Sequence, residues 1–187
     1  MRKLKLQVQI SVDGFIAGAD GAMDWMTFNW DEALKTYVGD LTRPVETIVL
    51  GRVLAQGFIP HWSGLASNPE TADDASRKFH ETAKIVFTNT LEDTGDWNNT
   101  TLAKNDLVKE IEALKHEPGG DIIAYGGGTF VSNLIKHNLI DDYHLFVNPA
   151  ALGSGMPIFE GLESRLALKL VEARPFECGV VVLHYRS

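Results

Sequence analysis

The sequence predicts an α/β protein with a mostly parallel central sheet and an antiparallel C-terminal edge. Two observations favour this class: apolar segments of strand length alternate with helical segments through most of the chain, and two strand segments then follow each other at its end. A third concerns size, because 187 residues fit one ordinary domain and no repeat, low-complexity tract or linker divides them. Residues 1–187 are therefore expected to form a single domain.

The spacing of apolar residues predicts the elements of the first half. Residues 4–12 alternate apolar and polar side chains, as a strand with one buried face does, and a loop rich in Gly and Asp follows to about Trp25. The next segments are predicted in the same way: a helix over 30–40, a strand over 46–50, a brief helix that ends near Phe58, a surface loop from Pro60 to about Pro69, and a helix over 73–83.

The second half continues the alternation and then ends in strands. Short apolar runs and helical spacing predict strands over 84–88 and 100–103, a helix over 106–116, a strand over 121–125, a helix from about 129 to 137, a strand over 142–147, and a terminal antiparallel pair over 166–173 and 179–185.

Composition excludes several classes of function. The formal net charge of −8 disfavours nucleic acid as a partner, because a phosphate backbone requires a positive face. The single Cys178 cannot form an internal disulfide and lies in an apolar stretch, so we expect a buried, inert thiol. The N-terminus alternates as a strand does, and no apolar run is long enough to span a bilayer. We expect a cytoplasmic protein with no metal site and no membrane partner.

The strongest local signal is the run of three glycines, Gly126 to Gly128, followed by Thr129. It lies between a predicted buried strand and a predicted helix, where free backbone N–H groups favour an anion such as a pyrophosphate. A tight turn without a ligand is the alternative, although three glycines exceed what a turn needs. The run lacks the G-x-G-x-x-G spacing and lies late in the chain, which disfavours a first-unit Rossmann site.

Two further strand ends carry small or polar residues. Gly51, Arg52 and Val53 follow one buried strand, and an Arg at a helix start can bind a phosphate, although an ordinary surface Arg is the alternative. Thr88 and Asn89 follow another strand and taken alone indicate only a turn. Because ligands of open α/β sheets collect at the carboxyl ends of strands, the three strand ends together predict one crevice.

The order of these motifs resembles the dihydrofolate reductase superfamily over nearly the whole chain. The motifs are S-V-D-G-F-I-A-G-A-D-G-A-M-D-W, then V-L-G-R, V-F-T-N-T and I-A-Y-G-G-G-T-F. The first of them, together with L-I-D-D-Y-H-L-F-V-N-P-A-A-L-G-S-G-M-P-I-F, is similar to the C-terminal reductase domain of the bifunctional riboflavin-biosynthesis deaminase-reductase and its stand-alone relatives. The resemblance implies a three-layer dihydrofolate-reductase-like fold. It also implies a homodimer, and light scattering would test this oligomeric state.

The resemblance also implies NADPH as cofactor and hydride transfer to a C=N bond or masked carbonyl of a small heterocycle or sugar amine. The cofactor residues it implies are grouped by the part of NADPH they face: Ile16, Ala17 and Gly18 at the nicotinamide; Gly51, Arg52 and Val53 at the phosphates; Thr88 and Asn89 at the adenosine 2′-phosphate; and Gly126, Gly127, Gly128 and Thr129 around the pyrophosphate. Lys104 is a weaker candidate at the adenosine edge. The Gly126–Gly127 peptide bond is expected to be cis.

Three carboxylates are candidates for the proton transfer. By resemblance Asp31, at the start of the first helix, corresponds to the carboxylate that anchors the substrate ring, with Glu32 as second choice. Acids are also common in a first helical turn, so a solvated carboxylate is the alternative for both. Asp13 is the third candidate and is equally suited to shaping the loop after the first strand.

The substrate stretch departs from the pattern of the riboflavin branch. That branch places basic residues around the first helix to bind a ribose phosphate, whereas this stretch offers only Lys35. It is instead rich in large apolar residues, of which Trp25 and Trp30 are the candidate substrate contacts. Three functions stay open: a riboflavin-type pyrimidine reductase, a reductase of a pterin or another flat heterocycle, and a nucleotide-binding module without catalytic activity.

Overall fold

The computed structural model describes all of residues 1–187 as ten strands and five helices. In chain order these are β1 (Leu4–Ile10), β2 (Phe15–Ala17), α1 (Glu32–Thr42), β3 (Val45–Gly51), α2 (Arg52–Ser67), α3 (Asp74–Glu81), β4 (Ala83–Phe87), β5 (Thr100–Ala103), α4 (Leu107–His116), β6 (Asp121–Tyr125), α5 (Gly128–Lys136), β7 (Asp142–Val147), β8 (Met156–Pro157), β9 (Lys169–Pro175) and β10 (Val181–Arg186).

Eight strands form one sheet in the order β5-β4-β3-β6-β1-β7-β10-β9. The first six in that order pair in parallel, and β10 pairs antiparallel with both β7 and β9. The predicted fold class, a mostly parallel sheet with an antiparallel C-terminal edge, is therefore confirmed. The remaining strands, β2 and β8, form a separate two-stranded antiparallel pair that the sequence analysis did not predict.

Helices cover both faces of the sheet and produce three layers. On one face α4 and α5 pack through Ile111, Val131 and Leu134 against the alternate residues of β1 that include Leu4 and Leu6. On the other face α1, α2 and α3 bury Leu34, Ile59 and Phe79 against Ile48 and Ile123 of the sheet. The alternation predicted for residues 4–12, of which β1 covers Leu4–Ile10, is what lets one strand contribute to the first of these layers. None of the helices combines the length and the hydropathy needed to cross a lipid bilayer.

The largest disagreement with the sequence prediction is α2. The brief helix predicted to end near Phe58 in fact continues to Ser67 with Pro60 inside it, so the predicted surface loop from Pro60 is wrong over most of its length. An interior proline costs a helix about 3 kcal/mol. The helix continues because the residues on either side of Pro60 are packed. The ring of Phe58 stacks on that of Tyr125 with centroids 5.2 Å apart, and the ring centroids of Trp62 and Phe79 are 4.4 Å apart.

Candidate active site

The topology places a crevice at the carboxyl ends of β3 and β6. These strands are neighbours in the sheet, but β3 leads into α2 on one face whereas β6 leads into α5 on the opposite face. Where connections leave adjacent parallel strands in opposite directions, their first turns separate and open a crevice that α/β proteins use to bind ligands. Two of the three predicted strand ends, Gly51–Val53 and Gly126–Thr129, flank this point.

The helices that begin at the crevice are capped differently from the others. Asp31, Asp73 and Asp106 each cap a helix, accepting a hydrogen bond from a backbone N–H of its first turn. By contrast, the N-cap residues of α2 and α5 are Gly51 and Gly127, and neither helix has a side-chain cap. The first N–H groups of a helix have no partner within it, so two neighbouring helix starts leave donors available to an anion.

The glycines before α5 are not required by contacts within the protein. A Cβ at Gly126 or Gly128 would make only ordinary contacts, at 3.6 Å to Val8 Cγ2 and 3.8 Å to Ile16 Cδ1 respectively. Only Gly127, with φ of +113°, has a backbone conformation that favours glycine. The absence of a side chain at Gly126 and Gly128 is thus explained by neither packing nor backbone angle, which fits a ligand that approaches the backbone closely.

Gly51 has a different role, which is to let β3 and α5 come together. A Cβ built on Gly51 would lie 2.8 Å from Cβ of Phe130, closer than side chains pack. Phe130 in turn packs its ring on Phe87, at the end of β4, with ring centroids 5.3 Å apart. The ends of β3 and β4 and the start of α5 therefore form one continuous wall of the crevice.

The remaining residues that were predicted to contact the phosphates and the adenosine make few hydrogen bonds or ion pairs within the protein. The Arg52 guanidinium contacts Gln56 Oε1 at 3.2 Å and no carboxylate, and Val53 is exposed. Thr88 is buried, with its hydroxyl accepting hydrogen bonds from the amides of the turn that follows, whereas Asn89 is exposed. Lys104 donates only a long hydrogen bond, 3.4 Å, to Glu92 O.

The residues that were predicted to contact the nicotinamide lie in the first loop, on the other side of the crevice. Ile16 is buried, with Cδ1 facing the position of Gly128, and Ala17 pairs with Met156 in the β2–β8 sheet. Gly18 begins a turn in which its N–H donates to Ala22 O. Of these three predicted residues, the structure brings Ile16 directly against the start of α5.

Asp13 fastens this loop to the loop between β7 and β8. Its carboxylate accepts hydrogen bonds from the Ser11 hydroxyl at 2.6 Å and from the backbone N–H groups of Leu152 and Gly153. The Ser11 hydroxyl, followed by these amides, lowers the pKa of Asp13 to about 2. A carboxyl group held ionised in this way is suited to positioning two loops rather than to donating a proton at neutral pH.

Asp31 and Glu32 have separate environments despite being adjacent. Asp31 Oδ1 accepts the N–H of Leu34 at 2.8 Å and Oδ2 accepts the N–H of Cys178 at 3.0 Å, which lowers the pKa of the Asp31 carboxyl. Glu32 is exposed and forms an ion pair with Lys35 at 2.7 Å. A direct part of either residue in proton transfer stays a prediction, and the geometry favours a structural role for both.

The predicted substrate contacts Trp25 and Trp30 lie in the segment that leads to α1. The indole N–H of Trp25 donates to Ala22 O, and that of Trp30 donates to Thr27 O. Trp30 stacks on Phe146 of β7 with centroids 6.1 Å apart, so its ring contributes to the core. Trp25 is half-buried and has no aromatic partner, which leaves it the better of the two as a substrate contact.

Asn148 is a site residue that the sequence analysis missed. Its side chain is fully buried just beyond β7, where Oδ1 accepts the Thr27 N–H at 2.8 Å and Nδ2 donates to Gln9 Oε1 at 2.8 Å. The amide group thereby holds the Trp25 segment over the ends of β1 and β7. The signal was the V-N-P sequence after a buried strand, but nothing local indicated that its partner lay 121 residues away.

The expected cis bond between Gly126 and Gly127 is wrong. All peptide bonds in the structure are trans, and the turn is achieved instead through the positive φ of Gly127.

A second concave region lies at the opposite end of the sheet. This groove, of about 610 Å³, is lined by charged and polar residues from the first halves of β1 and β7, the strands β9 and β10, and α1, among them His144, His184 and Asp142. Its fixed charges largely pair with one another, as Lys5 does with Asp121 and Arg186 with Asp142. It lies at the amino ends of the parallel strands, so it lacks the helix N-termini of the crevice.

Comparisons with known proteins agree with this architecture. The RibD C-terminal domain family model matches residues 2–182. The protein YyaP of Bacillus subtilis strain 168 is 30% identical over 98% of this chain and 94% of its own length. A protein of Shewanella sp. PV-4 that is assigned to riboflavin biosynthesis has a TM-score of 0.73 at 24% identity, covering 100% of this chain and 98% of its own.

A two-activity enzyme shares the same fold. The deaminase/5-amino-6-(5-phosphoribosylamino)uracil reductase of Thermotoga maritima has a TM-score of 0.67 at 18% identity, covering 99% of this chain and 56% of its own. This chain spans about half the length of that enzyme. Taken with the match over residues 2–182, the chain belongs to the RibD C-terminal domain family.

Proposed function

We propose that this protein is an NADPH-dependent reductase of the riboflavin-biosynthesis type, which reduces a C=N bond or masked carbonyl of a small heterocyclic substrate. The observation that carries the proposal is the pair of uncapped helix N-termini, those of α2 and α5, side by side at the switch point of the sheet. Membership of the RibD C-terminal domain family supports the same reading.

The residues at the crevice fit a dinucleotide with a charged phosphate bridge. The N–H groups at the starts of α2 and α5 would bind the pyrophosphate, and the missing side chains of Gly126 and Gly128 leave room for it. Arg52, which pairs with no carboxylate, would bind a phosphate together with the polar groups of Thr88 and Asn89. Ile16 would provide an apolar surface for the nicotinamide end.

NADPH, when bound, supplies the hydride that reduces the substrate carbon and leaves as NADP⁺, and one proton must reach the substrate nitrogen or oxygen. Asp13 and Asp31 do not supply this proton in our proposal, because hydrogen bonds from three and two donors respectively keep them ionised. They position the two sides of the pocket instead, and solvent water is the proton donor.

Cofactor titrations test this proposal. We expect NADPH to bind more tightly than NADH, and Arg52→Ala to weaken NADPH binding by about 1–3 kcal/mol, as the loss of a charge-assisted hydrogen bond does. Arg77→Ala is the matched control, because Arg77 is an exposed residue of α3 next to Asp74.

Equal affinities of the parent protein for NADPH and NADH would contradict the proposal. NADPH oxidation across a panel of heterocyclic substrates then separates a reductase from a module that only binds the nucleotide.

A further inference from the structure

The part of the site that would hold the substrate contains no cationic side chain. It consists of the loops after β1 and after β7, which the Asp13 carboxylate, the Asn148–Thr27 hydrogen bond and the β2–β8 pair join together. Residues 6–34 include no Lys or Arg, and neither do residues 137–164. We call these two joined loops the substrate wall.

The substrate wall carries negative charge instead. Asp13, Asp20, Asp24 and Asp31 all lie on it between β1 and α1. The basic residues that flank these two ranges in sequence pair or lie elsewhere: Lys5 pairs with Asp121, Lys35 with Glu32 and Lys136 with Glu163, and Arg165 lines a separate pocket at the C-terminal end of α5. Arg174 lies over the rings of Tyr37 and Phe176 in the opposite groove. Arg52, the cation at the crevice, stands at the start of α2 on the proposed cofactor side.

The substrate wall also carries exposed apolar side chains. Met23 and Phe28 are 52% and 72% exposed, and Met156 of β8 is 42% exposed and adjoins the turn at Gly21. Large apolar side chains left open beside a crevice favour the face of a flat ring. A phosphate dianion, in contrast, would lose its hydration next to ionised carboxylates, and neither range of the wall contains a Lys or Arg to compensate for that loss.

Resting on the proposed function, we propose that the substrate is a flat nitrogen heterocycle, neutral or cationic, that carries no phosphate group. The phosphoribosyl substrate named for the Thermotoga maritima enzyme is therefore not the substrate of this protein. Its own substrate is a ring whose faces contact apolar side chains and whose edge N–H groups can meet carboxylate or amide oxygens.

Equilibrium binding of a matched pair of ligands tests this inference. 5-Amino-6-(ribosylamino)uracil and its 5′-phosphate differ only in the phosphate, and each is titrated calorimetrically into protein saturated with NADP⁺. We expect the compound without phosphate to bind at least tenfold more tightly. Comparable or tighter binding of the phosphate compound would overturn the inference, as would failure of both compounds and of a dihydropteridine to bind.

A positive charge introduced into the substrate wall provides a second test of the inference. Phe28→Lys is expected to strengthen binding of the phosphate compound several-fold without strengthening its partner, since Phe28 is exposed and its replacement leaves the core intact. Leu170→Lys, a similar change at an exposed position of the edge strand β9, is the control and is expected to change neither affinity.

Binding of NADP⁺ is measured before the ligand pair is titrated, and its result tests the proposed function independently of the substrate inference. A protein that does not bind NADP⁺ contradicts the proposed function, and the ligand pair is then titrated without cofactor. A preference for the phosphate compound under that condition contradicts the substrate inference by itself.

Discussion

Two backbone amides, those of Leu34 and Cys178, hold the carboxylate of Asp31. One bond caps α1 and the other ties the helix to the turn between β9 and β10, which lies 147 residues further along the chain. Such charge-assisted hydrogen bonds stabilise the folded state as long as the carboxylate is ionised. Because its pKa is lowered on folding, this stabilisation is present above the ordinary Asp pKa and is lost as pH falls through the folded value.

We therefore expect Asp31→Ala to lower the midpoint of thermal unfolding at neutral pH, and to do so less at acidic pH. The neighbouring Glu32→Ala is the control, since Glu32 is exposed and contacts only Lys35. Thermal unfolding followed by circular dichroism measures both. A loss of reductase activity in Asp31→Ala with an unchanged midpoint would instead assign Asp31 a direct chemical role.

The sequence located Asp31 correctly but could not assign its partners. A carboxylate at a helix start is suited both to capping and to binding a substrate, and the pattern F-N-W-D-E is the same in both cases. What favours a structural role here is the second hydrogen bond, from the N–H of Cys178, and contacts over such a separation leave no trace in local spacing. The same holds for Asn148 and Thr27, whose hydrogen bond was not predicted.

At the scale of elements, the close approach of β3 and α5 depends on Gly51. Gly51→Ala would place Cβ 2.8 Å from Phe130 Cβ, so one element must shift. We expect the free energy of unfolding to fall by about 1–3 kcal/mol, the usual cost of overpacking. Urea unfolding measures the change.

Gly57→Ala is the matched control within the neighbouring helix. A Cβ at Gly57 meets nothing within 4 Å, so helix propensity is expected to raise the free energy of unfolding by about 0.5–1 kcal/mol. If Gly51→Ala were as stable as Gly57→Ala, the proposed close packing of β3 on α5 would be contradicted.

The spacing of apolar residues predicted most of the helices and strands, and the wrong length of α2 shows where such local patterns fail. The helix over 106–116 and the strands over 121–125 and 142–147 match α4, β6 and β7 to within a residue. The length of α2 was wrong because Pro60 stops a helix locally, whereas the aromatic contacts of Phe58 and Trp62 continue it. The β2–β8 pair was missed because strands of three and two residues are too short to show alternation.

At the scale of the whole molecule, the groove opposite the crevice affects stability in acid. Burial, followed by the neighbouring charge of His184, lowers the pKa of His144 from 6.5 to about 3. The charges of Lys5 and Arg186 act in the same direction and that of Asp142 acts against it, while the Tyr37 hydroxyl contacts His144 Nδ1 at 2.8 Å. Burial raises the pKa of Asp142, but hydrogen bonds from His184 and Arg186 outweigh it and lower the value to about 2.

Between about pH 6.5 and pH 3 the unfolded chain binds a proton at residue 144 that the folded chain does not. The free energy of unfolding is therefore expected to fall as pH decreases through this range, with His144 contributing up to about 1.4 kcal/mol per pH unit. Urea unfolding as a function of pH should show a shallower slope for His144→Gln. The exposed His116→Gln is the control, and an unchanged slope in His144→Gln would contradict this account.

The sheet leaves one long edge open, since every residue of β9 is exposed. An unpaired edge strand is a ready surface for association between chains. The homodimer expected from the resemblance stays a prediction, for which a monomer mass by light scattering at micromolar concentration would be the contrary result.

We propose that NADPH binds at the carboxyl ends of β3 and β6 rather than in the groove at the other end of the sheet. Hydrogen–deuterium exchange with saturating NADPH tests it most directly, with Gly128→Ala as the impaired variant and Gly39→Ala, an exposed glycine change in α1, as its control. We predict that NADPH protects the amides of residues 51–55 and 126–131 in the parent and in Gly39→Ala but not in Gly128→Ala. Protection confined to β9, β10 and the first half of β7, or no protection in the parent protein, would contradict the account.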